Sequence, residues 1–246
     1  MPKFFVEPEN IKEDSAIISG QDANHIAKVL RMSVGDIFTI CDGCGFDYTA
    51  EISSISGDGV GLLVSDKRRC EAENNISVTV FQCLPKGSKM ELIIEKCTEL
   101  GADFFAPVAS KYCVAKIEDA KKEAKKTEKW QKTADEAAKQ CGRGVIPKVK
   151  GVVSLKEAAK LIPQFDLCIV AYEKEEEATL KSVLRDNLSA EKIGIFIGPE
   201  GGFDESEIAI LKESGAKSIS LGKRILRTET AGFCVISAIM YELGGF

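Results

Sequence analysis

Ile195-Phe196-Ile197-Gly198-Pro199-Glu200-Gly201-Gly202-Phe203 is the stretch on which the architecture turns. The apolar run over 193–197 is rich in Ile and Phe and too short for a buried helix, so it predicts an interior strand. It breaks into a turn built on glycines and one proline. Asp204 then stands at an N-cap position, and 205–214 predicts a helix. In open α/β sheets ligands collect beyond the carboxyl ends of strands. Glycines there let backbone groups approach a ligand closely, so this is a candidate ligand loop. It matches neither the GxGxxG dinucleotide fingerprint nor the GxxxxGK phosphate loop.

Working outward, strands and helices alternate from residue 73 onward. Strands are predicted over 77–84, 104–108, 166–171, 193–197 and 218–221. Helices are predicted over 89–99, 117–141, near 177–184, over 205–214 and over 229–243. This alternation indicates a mainly parallel sheet covered on both faces. Residues 1–72 differ. Short strands over 4–6, 16–18, 37–40, 48–55 and 61–65 are separated by turn signals such as Asp42-Gly43 and Gly57-Asp58-Gly59. One helix, 21–32, is expected to bury Ile26, Val29 and Leu30 on a single face. A small β-barrel-type domain over 1–72 therefore precedes a larger domain over 73–246, with a polar linker from Lys67-Arg68-Arg69 to Asn75.

Composition bounds the function. The 246 residues are 44% hydrophobic and 29% charged, which excludes a mostly disordered chain. The formal net charge of −5 argues against a general nucleic-acid coat. The charge is uneven, however. Residues 1–72 hold 7 Lys/Arg against 12 Asp/Glu, whereas 111–150 hold 12 against 6. The basic stretch contains the only tryptophan, Trp130, and ends in Gly142-Arg143-Gly144, which would present Arg143 at a helix end. Its alternative reading is a solvated helix face with pairs such as Asp135 and Lys139. Nine irregularly spaced cysteines and the absence of a secretory apolar run predict a cytoplasmic protein with reduced thiols. No run approaches the ~18 apolar residues of a membrane span, so no membrane association is expected. Cys41 and Cys44 have CxxC spacing. A metal would need about four ligands and the only histidine is His25, so a hairpin turn at Asp42-Gly43 is the preferred reading, a redox pair the second, and no metal site is expected.

A second loop, Ser220-Leu221-Gly222-Lys223-Arg224-Ile225-Leu226-Arg227-Thr228-Glu229-Thr230-Ala231, again leads from a strand into a helix. Ile225 and Leu226 offer an apolar surface for a flat ring. Arg224 and Arg227 offer charge for an anionic partner. Thr228 or Glu229 could cap the helix.

Taken together, the two loops resemble the SPOUT class of methyltransferases, and within it the bacterial 16S ribosomal RNA uridine-N3 methyltransferases that modify uridine 1498. The likeness covers nearly the whole chain. It includes His25-Ile26-Ala27-Lys28-Val29-Leu30-Arg31 with Gly35-Asp36, then Lys86, Lys96-Cys97-Thr98-Glu99-Leu100-Gly101 and Pro107-Val108. It continues with Trp130 and Glu136-Ala137-Ala138-Lys139-Gln140-Cys141-Gly142-Arg143.

The resemblance implies a SPOUT-type α/β trefoil-knot methyltransferase domain over 73–246, knotted within about 166–246, preceded by a PUA-like RNA-binding β-barrel domain over 1–72. It implies a homodimer acting on 16S rRNA in the small ribosomal subunit. S-adenosyl-L-methionine would lie among Ala171, Tyr172, Gly198, Pro199, Glu200, Gly201, Gly202, Leu221, Gly222, Ile225, Leu226, Arg227 and Thr230. Lys3, His25, Lys28, Arg31, Lys86, Arg143 and Arg224, with the lysines of 121–132, form the expected RNA footprint. Tyr112 stands where the family often has arginine, and Lys3 where arginine is frequent.

The chemistry fits these residues. Arg227 or Arg224 could stabilise a uridine anion, and Glu200 and Glu229 are candidate bases. His25 is placed with RNA contact or capping before catalysis. A ribose 2′-O-methyltransferase on the same scaffold and a non-catalytic RNA-binding assembly protein remain as rivals.

Overall fold

The computed structural model describes residues 3–114 and 119–244. Ile117 and Glu118, where the long helix was expected to begin, lie outside them. The chain divides into two units, and each is drawn from two separate stretches of sequence. One comprises residues up to Glu73 together with Ala138–Ile146. The other comprises Asn74–Ala137 and the residues from Pro147 on.

In the first unit, strands β1 (Lys3–Phe5), β2 (Ser15–Ile18), β3 (Ile37–Cys41), β4 (Phe46–Ser56) and β5 (Gly59–Arg69) form one sheet in the order β1-β3-β4-β5-β2. Pairing is antiparallel except between β1 and β3. Period-two alternation sends Val60, Leu62 and Val64 inward, with Phe4, Phe38, Ile40 and Ile52. Asp42 makes the expected turn, its side chain accepting from the Cys44 and Phe46 amides at 2.8 and 3.1 Å. Lys67, Arg68 and Arg69 belong to β5 rather than to a linker. Arg68 and Arg69 pair with Asp47 and Phe46, and the Lys67 ammonium lies 4.4 Å from the Phe46 ring centre.

The expected helix over 21–32 is shorter and changes pitch. Helix α1 (Gly20–Asn24) passes into one turn of π-helix, His25–Val29, closed by Leu30 N–H donating to the His25 carbonyl. The extra residue per turn rotates the face. Ile26 stays buried while Val29 is 68% exposed, so the predicted apolar stripe does not form.

Ala138–Ile146 joins this unit through Glu73. Its carboxylate accepts from Arg143 Nη2 at 2.8 Å and Nε at 3.1 Å, and from the amides of Gly144 and Val145 at 2.7 and 3.0 Å. Arg143 is only 4% exposed. It therefore locks a chain segment and does not present its charge to solvent, contrary to its expected place in the RNA footprint. Lys3 is corrected likewise: its ammonium pairs with Asp47 at 2.8 Å and donates to the Gly142 carbonyl at 3.0 Å. Lys139 pairs with Asp22 at 2.8 Å and not with Asp135. His25, Lys28 and Arg31 remain exposed.

The second unit is built on β6 (Ser77–Cys83), α2 (Lys89–Glu99), β7 (Ala102–Ala109), α3 (Ala120–Cys141, whose last turn enters the first unit), β8 (Lys148–Val149), β9 (Val153–Ser154), α4 (Leu155–Ala159), β10 (Leu167–Ala171), α5 (Leu180–Arg185), β11 (Lys192–Ile197), α6 (Glu205–Glu213), β12 (Lys217–Ile219) and α7 (Thr228–Leu243). The strands run parallel in the order β12-β10-β11-β6-β7-β8, with β9 also on β7. The chain leaving β11 thus passes over β10 to reach β12. Phe81 and Phe196 stack on adjacent strands at 4.3 Å between ring centres. Gly194 permits this contact, since a Cβ there would lie 2.8 Å from Cys168 Sγ and 3.3 Å from the Phe81 ring. Trp130 and Ala134 of α3 are buried in the same core, while Lys121, Lys122, Lys125, Lys126, Lys129 and Lys132 face solvent.

Arg143→Ala leaves the Glu73 carboxylate without its guanidinium. The expected cost is about 3 kcal/mol, the scale for breaking one side of a buried ion pair, read as a lower midpoint in urea unfolding of the intact chain.

Candidate functional site

Parallel strands end on one side of the sheet, so the loops after β6, β10, β11 and β12 converge there. Their junction is a buried hydrogen-bond chain. Gln82 sits at the end of β6 with no exposed surface, and its amide nitrogen donates to Thr228 Oγ1 at 2.9 Å. The Thr228 hydroxyl donates onward to the Gly198 carbonyl at 2.6 Å. Thr228 was expected as a possible helix cap. Instead Arg227 takes the extended N-cap position without a side-chain cap, and the threonine hydroxyl ties α7 to the glycine loop. Tyr172 N–H donates to the Ile219 carbonyl at 3.0 Å, joining the ends of β10 and β12.

The 198–202 loop is tight. Gly202 adopts φ +70°, and a Cβ on it would lie 2.8 Å from both carboxylate oxygens of Glu173. Gly222 adopts φ +97° with open space where a side chain would be. Both conformations favour glycine. Leu221 and Leu226 pack partly onto the core, while Ile225 is 91% exposed beside them. Thr230 is exposed in the first turn of α7, and Ala171 and Tyr172 are half-buried at the end of β10. The structure therefore brings the predicted cofactor-binding residues to neighbouring strand ends.

The charges sort into two groups. Lys89, in the first turn of α2, reaches Glu200 at 2.9 Å and Glu229 at 3.2 Å. Glu200 also accepts from the Lys86 amide at 3.2 Å, so its carboxylate sits at the start of α2, where the helix dipole favours an anion. Burial alone would push the Glu200 carboxyl up, but the Lys89 ammonium and the Lys86 and own-backbone amides hold it below the ordinary glutamate value. The ammonium of Lys89 is in turn held above its ordinary value by Glu200. Both candidate bases are thus engaged by one lysine. Arg224 and Arg227, by contrast, are exposed and make no ion pair among the described residues. Lys86 is exposed at the same edge.

Sequence reasoning missed Lys89 and Gln82, and it noted Tyr112 only as a departure from the family pattern, without its tie to Asp204. Gln82 carried a usable signal, being the amide side chain inside an otherwise apolar strand. Lys89 carried none that separates it from other helix-surface lysines. Asp204 fulfils its expected capping role: its carboxylate accepts from Ser206 N–H at 3.1 Å, and Glu207 accepts from the Asp204 amide at 3.1 Å. It also accepts from Lys111 Nζ at 2.6 Å and from the Tyr112 hydroxyl at 2.8 Å. Among the described residues no cluster of three or more His, Cys, Asp or Glu could hold a metal, and all nine cysteines are free. No helix among them is long and apolar enough to cross a membrane.

The chain is similar to known proteins over its whole length. Residues 72–240 match an RNA methyltransferase domain family, and 18–64 match an RNA methyltransferase PUA domain. A relative named ribosomal RNA small subunit methyltransferase E, from Bacillus subtilis, is 39% identical over 98% of this chain and 97% of its own. A crystal structure of a ribosomal RNA small subunit methyltransferase E from Neisseria gonorrhoeae, bound to S-adenosyl methionine, is 27% identical. It covers 98% of this chain and 97% of the other with a TM-score of 0.85. A putative methyltransferase from Legionella pneumophila, in complex with the bound cofactor SAM, is 28% identical over 97% and 96% of the two chains, with a TM-score of 0.81.

The clamp at Asp204 gives a pH test. The Lys111 ammonium, the Ser206 hydroxyl and the Tyr112 hydroxyl hold its carboxyl well below the ordinary value of 3.8. A depressed folded-state value stabilises the fold above the unfolded value and loses that contribution as pH falls toward the folded one. Asp204→Asn keeps an N-capping side chain but removes the charge. Its thermal midpoint should lie below wild type at pH 7, and the gap should close progressively below about pH 3.8.

Proposed function

The chain belongs to the RNA methyltransferase domain family, and from that premise we propose that it transfers a methyl group from S-adenosyl-L-methionine to N3 of one uridine, position 1498, in the 16S rRNA of the small ribosomal subunit. The observation that carries this reading is the junction of three strand-end loops, tied by Gln82, Thr228 and Gly198, from which two unpaired arginines project. The residues present fit an adenosyl cofactor. Gly222 leaves open space at the loop, and Leu221, Ile225 and Leu226 supply an apolar surface for the ring. Ala171, Tyr172, Pro199, Glu200, Arg227 and Thr230 complete the lining.

When bound, the cofactor supplies an activated methyl group. The chain's own residues must orient the uridine and favour loss of its N3 proton. On this reading Arg227 stabilises the uridine anion and Arg224 contacts the RNA backbone. Glu200 and Glu229 are both bridged by Lys89, so their part is to fix the glycine loop and the start of α7 around the cofactor. Within the PUA-like unit, His25, Lys28 and Arg31 are exposed for RNA contact, and within the second unit so are the lysines of α3. The same reading takes the chain as a cytoplasmic homodimer, with a knotted path within 166–246.

Small subunits and naked 16S RNA lacking the modification are the test substrates. Mass spectrometry of nucleosides should show N3-methyluridine at one position, with assembled subunits methylated faster. A ribose-methylated product would refute the reading. Arg227→Ala should lower kcat by about 10²–10³-fold, the scale for removing one preorganised charge stabiliser. Lys89→Met should weaken cofactor binding in calorimetry about tenfold, or ~1.4 kcal/mol, because the glycine loop and the start of α7 lose their common anchor.

A further inference from the structure

Tyr112 is an aromatic residue held rigidly where nothing in the fold needs an aromatic ring. It lies in the turn after β7 and is 43% exposed. It takes no part in the hydrophobic core of its unit, which reaches Cys113 but not Tyr112. Its ring is nevertheless fixed. The hydroxyl donates to Asp204 at 2.8 Å. Its Cβ packs against Gly201 so closely that a Cβ on that glycine would sit 3.0 Å away. The Lys111 ammonium stands 5.6 Å from the ring centre and is itself held by Asp204 at 2.6 Å. Asp204 caps α6 immediately after the glycine loop, so ring and loop are fastened to one point.

An exposed ring with two torsions already restrained is what a stacking partner requires, since little side-chain freedom remains to be lost on binding. Proteins that read unpaired RNA stack its bases on such rings. We propose that Tyr112 is a stacking platform for an unpaired base of the substrate RNA at the rim of the 198–202 loop. The glycine at 201 then has a second use beyond the cofactor, because a side chain there would push the platform out of place. The phenol hydroxyl positions the ring, and its face makes the contact. The inference rests on the methyl-transfer reading above.

The experiment uses the full-length protein. Wild type is first tested for S-adenosylmethionine binding and for N3-methyluridine formation; failure at that stage removes the functional reading, whatever Tyr112 does. Tyr112→Phe, Tyr112→Trp, Tyr112→Leu and Tyr112→Ala are then compared by KM for RNA, kcat and cofactor Kd. Stacking requires that Phe and Trp stay within about threefold of wild type in KM for RNA while Leu and Ala raise it about tenfold or more, a loss on the scale of one base–aromatic contact. Cofactor Kd should stay within twofold throughout, which also shows that the variants fold. Three results would overturn the proposal. Leu equal to Phe would show that no aromatic is needed; Phe as poor as Ala would show that only the hydrogen bond to Asp204 matters; and Ala that weakens cofactor binding while leaving KM for RNA unmoved would show that the ring serves the adenine.

Discussion

The hydrogen bond from Thr228 to the Gly198 carbonyl, with Gln82 donating to the same threonine, is the constraint on which the site depends. An amide side chain buried in an apolar strand costs about 1–3 kcal/mol if its donor goes unmet. Gln82 therefore fixes where Thr228 can be, and Thr228 fixes where α7 can begin. With its hydroxyl used in this way, the threonine does not cap the helix. The preceding residue, Arg227, is left in extended conformation with its side chain in solvent. A single buried polar contact thus sets the path of the glycine loop, the start of a helix and the exposure of Arg227.

Electrostatics around that junction follows from helix α2. Its N-cap residue Ser88 makes no side-chain cap, and the Glu200 carboxylate arrives from another loop to accept from Lys86 N–H. The helix end and Lys89 together stabilise an anion there. Glu229 shares Lys89, so the two carboxylates and one ammonium form a largely self-contained group. The arginines of the 221–228 loop lie outside it. On the proposed reading, a negative charge developing near them meets cations that no carboxylate of the site already neutralises.

Much of this was legible in the sequence, for a physical reason. Strands covered on both faces are continuous apolar runs, so β6, β7, β10 and β11 could be placed within a residue or two. Glycine turns after such strands mark where a ligand can approach. What could not be read depends on long-range pairing. Nothing local in Ala138–Ile146 says that Glu73 will draw it into the first unit. Nor does the spacing of Ile26, Val29 and Leu30 announce a π-turn that carries Val29 into solvent. Thr228 looked like a cap because a threonine at a loop–helix junction usually is one; a partner 30 residues away changed its use.

The same distinction separates the cations that remain available from those that do not. Arg143 and Lys3 looked like RNA contacts by residue type, but Arg143 is buried against Glu73 and Lys3 is half-buried against Asp47. The lysines of α3 owe their exposure to Trp130 and Ala134, which turn the opposite face of the helix into the core. On the proposed reading, docking on RNA then rests on a helix face whose direction is set by packing, and its salt dependence reflects those lysines and not the guanidinium at 143. On the same reading, the net charge of −5 matters less than where the exposed cations lie, which is on one face of α3 and in the 221–228 loop.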